Sequence, residues 1–251
     1  MHRFHVPAAY RATSSLRFSA VQSRQIARVL RMHAGEHVEV FDGAGTVAAV
    51  QLDAVSETAA SGVVEAVRRV QWPFPWRTSV CLALIRPQRF EWAVEKAAEL
   101  GASTIVPLLT ERTAHGGDEV GEARLARWQR IAVEAAEQCG SAFTLDVRQP
   151  ATLQQALQEP ARLRLIGWED QAVVLPPLLE RVAAAGPWAR GTETPRIALY
   201  VGPEGGFAPG EIEAAVTAGC EAVTLGPRIL RAETAAVAAL AMLTAASLAS
   251  G

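Results

Sequence analysis

From residue 78 onward the chain alternates short apolar runs with helix-length amphipathic stretches. "SVCLALI" and "STIVPLL" flank "RFEWAVEKAAELG", and "RLRLIGWED", "RIALYVG" and "EAVTLG" follow further on. Parallel strands need a crossover to return, so such runs separated by helical segments predict a mainly parallel α/β sheet covered by helices. The first helix is expected to stop at Gly101. A second, "ARLARWQRIAVEAAEQCG", turns Leu125, Trp128, Ile131, Ala132 and Ala135 to one face and ends at Gly140.

The first third reads differently. "HVEVFDGAGTVAAVQL" alternates at Val38 and Val40, turns at Asp42 to Gly45 and resumes at Val47 and Ala49, a hairpin with the small residues its turn requires. "SGVVEAVRRV" is a further strand, and "SAVQSRQIARVLRM" a short amphipathic helix with Ile26, Val29 and Leu30 on one side. These predict a small β-barrel with a helix. In "QWPFPWR", Pro73 and Pro75 forbid regular pairing, which predicts two domains, 1–72 and 73–251.

With 50% hydrophobic and 20% charged residues the balance is that of a globular protein, and a net charge of -2 gives no bulk attraction to nucleic acid or membrane. Cys81, Cys139 and Cys220 are odd in number and far apart, without a neighbouring histidine pair, so neither a disulfide framework nor a metal site is expected. His115 and the "GGDE" after it form no ligand set either. "MHRFHVPAAY" lacks the apolar core of a signal peptide, and with the unpaired cysteines this predicts a cytoplasmic protein. The charge-free stretch from Thr234 is dominated by alanine and reads as a buried helix rather than a membrane span.

Two strands run into glycine-rich loops that each feed a helix: Val201 into "GPEGGFAPGE" and Leu225 into "GPRILRAET". In open α/β sheets, ligands collect in the crevice beyond the carboxyl ends of the strands. The first loop lacks the Gly-Lys-Ser/Thr end of a phosphate-binding loop and the G-x-G-x-x-G spacing of a dinucleotide fold. Gly202, Gly205 and Gly206 would let backbone groups approach a ligand closely, with Pro203 stiffening the turn. Leu225, Ile229 and Leu230 would floor an adenosine, and Glu204 and Glu233 would tolerate a cation. Either loop alone would read as chain turning; the two together point to a site.

The ordered set "VLRMHAGEHVEVFDGAG", "EKAAELG" with "IVPLLTERT", "RWQRIAVEAAEQCG", "YVGPEGGF" with Glu211, and "LGPRILRAETA" resembles the ribosomal RNA small subunit methyltransferase E family of the SPOUT superfamily. That resemblance implies a PUA-like barrel followed by an α/β domain with a trefoil knot, a homodimer, and S-adenosylmethionine as cofactor. The activity it implies is methylation of N3 of a uridine in 16S rRNA of the small ribosomal subunit. Carried over position by position, the cofactor pocket would comprise Leu199, Val201, Gly202, Glu204, Gly205, Leu225, Gly226, Leu230, Glu233 and Thr234.

N3 of uridine is a poor nucleophile until its proton leaves, so a base, or cations stabilising charge on O2 and O4, must be at hand. Arg112 in "TERT", and Arg228 and Arg231 in "GPRILRAET", are the candidates, with Arg112 and Arg231 taken as the catalytic pair. Arg231 could instead pair with Glu233 or Glu204, and Glu111 is either a base or a partner for Arg112. No residue stands out as the general base.

Before Glu36 the chain carries Arg3, Arg11, Arg17, Arg24, Arg28 and Arg31 and no acid, a local basic patch suited to RNA phosphates. Because Lys96 is the only lysine, arginine by itself says little about selection for guanidinium chemistry. Arg86 and Arg89 in "RPQRFEW" lie where the family carries lysine and are further phosphate candidates. Val237, Leu240 and Leu248 would bury the C-terminal helix in a homodimer, unless that helix packs wholly within one chain. Two other readings remain open: a non-catalytic RNA-binding ribosome assembly factor, and a SPOUT methyltransferase acting on another RNA.

Overall fold

A computed structural model of the chain describes residues 1–113, 120–168, 175–188 and 194–249. His115 and the "GGDE" stretch lie outside the described residues. The chain divides into two compact units: Met1–Trp72 with Ala136–Thr144, and Pro73–Ala135 with Leu145–Gly251. The sequence reading had no reason to assign Ala136–Thr144 to the first of these.

In the first unit, β1 (Arg3–His5), β2 (Ser15–Arg17), β3 (His37–Phe41), β4 (Thr46–Val55) and β5 (Ala60–Arg69) form a five-stranded sheet in the order β1-β3-β4-β5-β2. Helix α1 (Ala20–Arg24) starts at Ser19, whose side chain accepts from the Gln22 N–H while Gln22 reaches back to the cap. It runs into a π turn, Gln25–Val29, in which the Leu30 N–H donates to the Gln25 carbonyl at 2.9 Å. This wider turn separates residues expected on one face: Ile26 enters the core, whereas Val29 is 69% exposed.

Asp42 closes the β3–β4 hairpin by accepting the N–H groups of Ala44 at 2.7 Å and Thr46 at 2.9 Å. Beyond the turn the inward set differs from the expected Val47 and Ala49. Ala48, Val50 and Leu52 join Val38 and Val40 in the core, and Ala49 is half-buried. Val47 points the other way and, with Phe41, is covered by Ala136 and Ala142 of the same unit. Both faces of the strand are therefore apolar at that point, and simple alternation misreads it.

The second unit contains β6 (Arg77–Ala83), α2 (Pro87–Glu99), β7 (Thr104–Leu109), most of α3 (Glu122–Cys139), β8 (Asp146–Val147), β9 (Ala151–Thr152), α4 (Leu153–Leu157), β10 (Leu163–Gly167), α5 (Leu178–Ala184), β11 (Arg196–Val201), α6 (Pro209–Thr217), β12 (Glu221–Val223) and α7 (Ala232–Ala249). Its sheet runs β12-β10-β11-β6-β7-β8, with β9 beside β7, and all its strand pairs are parallel. Side chains alternate across it. Val80, Leu82, Leu199 and Val201 pack with α2, α5, α7 and most of α3, while Cys81, Ala83, Ala198 and Tyr200 pack with α4 and α6.

The expected face of α3 holds: Trp128, Ala132 and Ala135 are in the core, with Leu125 and Ile131 at its margin and Trp128 stacked 4.4 Å from Phe90. Helix α7 is buried on one side. Ala236, Ala239, Leu240 and Leu243 lie in the core, and the Thr244 hydroxyl donates to the Leu100 carbonyl at 2.9 Å. Leu240, expected at a dimer contact, is thus packed inside its own chain, while Leu248 is 79% exposed. No helix among the described residues is long and apolar enough to cross a membrane.

Candidate functional site

The carboxyl ends of parallel strands share one rim, and the register of β11 against β6, Val201 opposite Leu82, brings the loops after both strands together there. In the loop after β11, a Cβ on Gly202 would lie 3.1 Å from the Phe207 ring and 3.2 Å from its backbone nitrogen, so a side chain there would require Phe207 to give by a few tenths of an ångström. Gly206 has φ +68°, in the left-handed region. Pro203 is buried beneath the turn.

This loop is held from outside by the segment after β7. Glu211 at the start of α6 accepts the Ala208 N–H at 2.9 Å through Oε2 and the Glu111 N–H at 3.0 Å through Oε1. Arg112 Nη1 donates to the Gly205 carbonyl at 3.0 Å and more weakly to that of Phe207 at 3.5 Å. The hydroxyls of Thr110 and Thr113 meet at 2.7 Å and tighten the same segment. Glu111 therefore meets the glycine loop through its backbone, and Arg112 bonds to carbonyls rather than to Glu111.

The loop after β12 is built on Thr224. Its hydroxyl donates to the Gly226 carbonyl at 3.0 Å and accepts the Gly226 N–H at 3.2 Å. Its backbone exchanges bonds with Pro176 at 3.1 Å and Leu178 at 3.2 Å. Leu225 packs at the core margin and Leu230 is half-buried, but Ile229 is 78% exposed and so does not floor the crevice.

Between the loops stands an acid pair with one cation. Glu233, in the first turn of α7, is only 8% exposed. Its Oε1 lies 3.5 Å from Arg89 Nε, and its Oε2 is buried without a hydrogen-bond partner among the described residues. Arg89 Nη1 is also 3.5 Å from Glu204 Oε1. The brace that the sequence reading offered to Arg231 is thus supplied by Arg89 from the first turn of α2. Arg231 itself is exposed and pairs with neither acid among the described residues, its carbonyl accepting the Ala235 N–H at 2.7 Å.

Of the other expected cofactor residues, the Leu199 and Val201 side chains belong to the core, leaving only backbone to offer a ligand. Gly205, Gly226 and Thr234 are exposed at the rim. Among the phosphate candidates, Arg11, Arg17, Arg24, Arg31 and Arg86 are exposed. Arg3 differs: its Nε lies 2.8 Å from Glu39 Oε2 and its guanidinium sits 5.3 Å from the centre of the Phe41 ring, a largely covered brace within the first unit. The linking role of Glu211 went unread, because Ala208 occupies the cap position where Ser or Thr would have signalled a capping box. The described residues hold no group of three or more His, Cys, Asp or Glu able to bind a metal.

The profile of the RNA methyltransferase domain family matches residues 72–244. The ribosomal RNA small subunit methyltransferase E of Synechocystis is 33% identical over 233 residues, covering 92% of this chain and 73% of that protein. Its namesake in Bacillus subtilis is 27% identical, covering 87% of this chain and 85% of its own length. A ribosomal RNA small subunit methyltransferase E from Neisseria gonorrhoeae, solved bound to S-adenosyl methionine, superposes with a TM-score of 0.84 at 29% identity over 98% of both chains. A Legionella pneumophila protein solved with bound SAM superposes with a TM-score of 0.83 at 30% identity over 97% of both.

Proposed function

The chain belongs to the ribosomal RNA small subunit methyltransferase E family, and on that premise we propose that it methylates small-subunit rRNA from S-adenosylmethionine, at N3 of a uridine in 16S rRNA. The observation that carries this reading is the crevice between the two glycine-rich loops, walled by main chain and edged by Glu204 and Glu233.

The residues fit the cofactor. An adenosine needs backbone donors and acceptors at close range, which Gly202, Gly205 and Gly226 leave open, and an apolar bed, which Leu225 and Leu230 offer. A sulfonium needs a nearby anion, and the buried Glu233 Oε2 has no hydrogen-bond partner among the described residues. The cofactor supplies an electrophilic methyl group; the protein must orient the uridine, exclude water and stabilise charge as the N3 proton leaves. Arg112, anchored on Gly205, and the exposed Arg231 are the cations proposed for that charge. The transfer so written calls for no metal ion.

Arg11, Arg17, Arg24, Arg31 and Arg86 are proposed to hold rRNA phosphates without reading bases, with Arg3 and Arg89 bracing protein instead. Residues 1–72 would be a PUA-like RNA-binding domain and 73–251 a SPOUT domain carrying a trefoil knot. In support of the knot, β12 lies at the outer edge beyond β10, yet α7 returns across the sheet to pack among β6, β11, α2 and α5. A homodimer and a cytoplasmic location complete the reading. Calorimetry with S-adenosylhomocysteine tests the crevice, and primer extension on 16S rRNA from a deletion strain tests the product. A silent titration, or an unchanged stop pattern, refutes the respective half.

A further inference from the structure

On the sheet face opposite α7 lies a cavity of about 350 Å³ that shares no residue with either glycine-rich loop. Strands β11, β6 and β7 floor it near their amino ends, and α4 with the segment 148–151 walls it. Its volume is in the range that holds a small ligand.

The polar groups around it are unevenly satisfied. Arg196 lies directly across the parallel ladder from Arg77, so two guanidiniums start on the same face of the sheet. Burial and the Arg196 charge hold the Arg77 guanidinium below its ordinary range. Arg196 Nη1 donates to Ser79 Oγ at 2.9 Å and has no carboxylate partner among the described residues. Thr104, only 5% exposed and lining the cavity, makes no side-chain hydrogen bond among the described residues. That hydroxyl is free to meet a ligand atom in the cavity.

The rest of the lining sets the shape of the occupant. Tyr200 is fully buried with its hydroxyl committed to the Ala156 carbonyl at 3.1 Å, so the apolar surface the cavity offers is that of the half-buried Val106, Pro150 and Ala151. Arg148 is engaged by Asp146 at 2.5 Å, and Glu159 disfavours a second negative group. We propose that this cavity is a second ligand site, taking a small organic anion whose single carboxylate or phosphate meets Arg196, Ser79 and Thr104 while a flat apolar body lies against Val106 and Pro150. The proposal rests on no part of the methyl-transfer reading.

The test is calorimetric titration of the full chain with benzoate, with phenyl phosphate and with neutral benzamide. One of the anions should bind while benzamide does not, and which anion binds identifies the acid group. Arg196→Gln should weaken binding about tenfold and Thr104→Val several-fold, as expected for loss of a charged and a neutral hydrogen bond. Thermal melts confirm that both variants fold, and a benzoate soak of wild-type crystals reads the position directly should either fail. Failure of both anions to bind the wild type, equal binding by benzamide, affinities unchanged in both variants, or density away from Arg196 overturns the proposal.

Discussion

The carboxylate of Glu211 accepts the backbone N–H of Glu111 at 3.0 Å, joining residues 100 positions apart. Its second oxygen holds the Ala208 N–H at 2.9 Å, so one side chain fixes the end of the glycine loop to the segment after β7. Glu211→Ala should lower stability by about 1.5–3 kcal/mol, the usual loss for hydrogen bonds to a charged group, as read from urea midpoints. It should also weaken S-adenosylhomocysteine several-fold. Lower stability with unaltered ligand affinity would reduce Glu211 to a helix cap.

The two tight glycines should fail in different ways. Gly206→Ala meets no atom but is strained at φ +68°, so it should cost about 1 kcal/mol of stability. Gly202→Ala sets a methyl against the Phe207 ring and backbone, which must shift slightly to admit it, and should weaken ligand binding several-fold in calorimetry. Equal affinities in the two variants would contradict the importance of this close approach.

Glu233 is expected to distinguish charged from neutral cofactor forms. In Glu233→Gln, affinity for S-adenosylmethionine should fall about tenfold, equivalent to roughly 1.4 kcal/mol, with little change for the uncharged homocysteine product. A parallel loss for both ligands would assign Glu233 to shaping the loop.

The thiols give a pH prediction. Burial pushes Cys81 up to about 12 and Cys220 to about 11, so both stay protonated in the native state where unfolded thiols ionise, from about 8.5 upward. Above that pH the unfolded chain holds fewer protons than the folded one, and stability is lost as pH rises toward 11 and 12. Urea titrations from neutral to alkaline pH should show this decline. Iodoacetamide at mildly alkaline pH should modify exposed Cys139 and spare the other two.

For RNA, replacing Arg17, Arg24 and Arg31 by glutamine should weaken binding to small-subunit particles without altering cofactor affinity. Each lost phosphate contact should reduce the slope of log affinity against log salt by about 1. An unchanged slope would show these side chains to be a solvated face.

The large sheet was legible because buried parallel strands are unbroken apolar runs: β7, β10, β11 and β12 fall within the expected stretches, and β6 overlaps its own but starts earlier, at Arg77. Two-residue strands such as β8 carry no periodicity, and neither β8 nor the short α4 could be seen. Val29 and Ala49 were misplaced for a shared reason. A π turn displaces the first and a register shift at Ala49/Val50 follows the second, and local irregularity erases the period on which the reading depends. In the site, the loops and Glu233 could be read from composition and resemblance. The choice of Arg89 over Arg231 could not, because it depends on which guanidinium the packing of α2 and α7 turns toward the acids.

The order of the strands also makes the crevice a late arrival. Both glycine-rich loops and Glu233 follow β11, so a growing polypeptide can finish its first sheet and several strands of the second while still lacking any cofactor crevice. Domains fold from the amino end as they emerge. A nascent chain would therefore complete the amino-terminal arginines proposed to hold phosphates well before the crevice proposed for the chemistry.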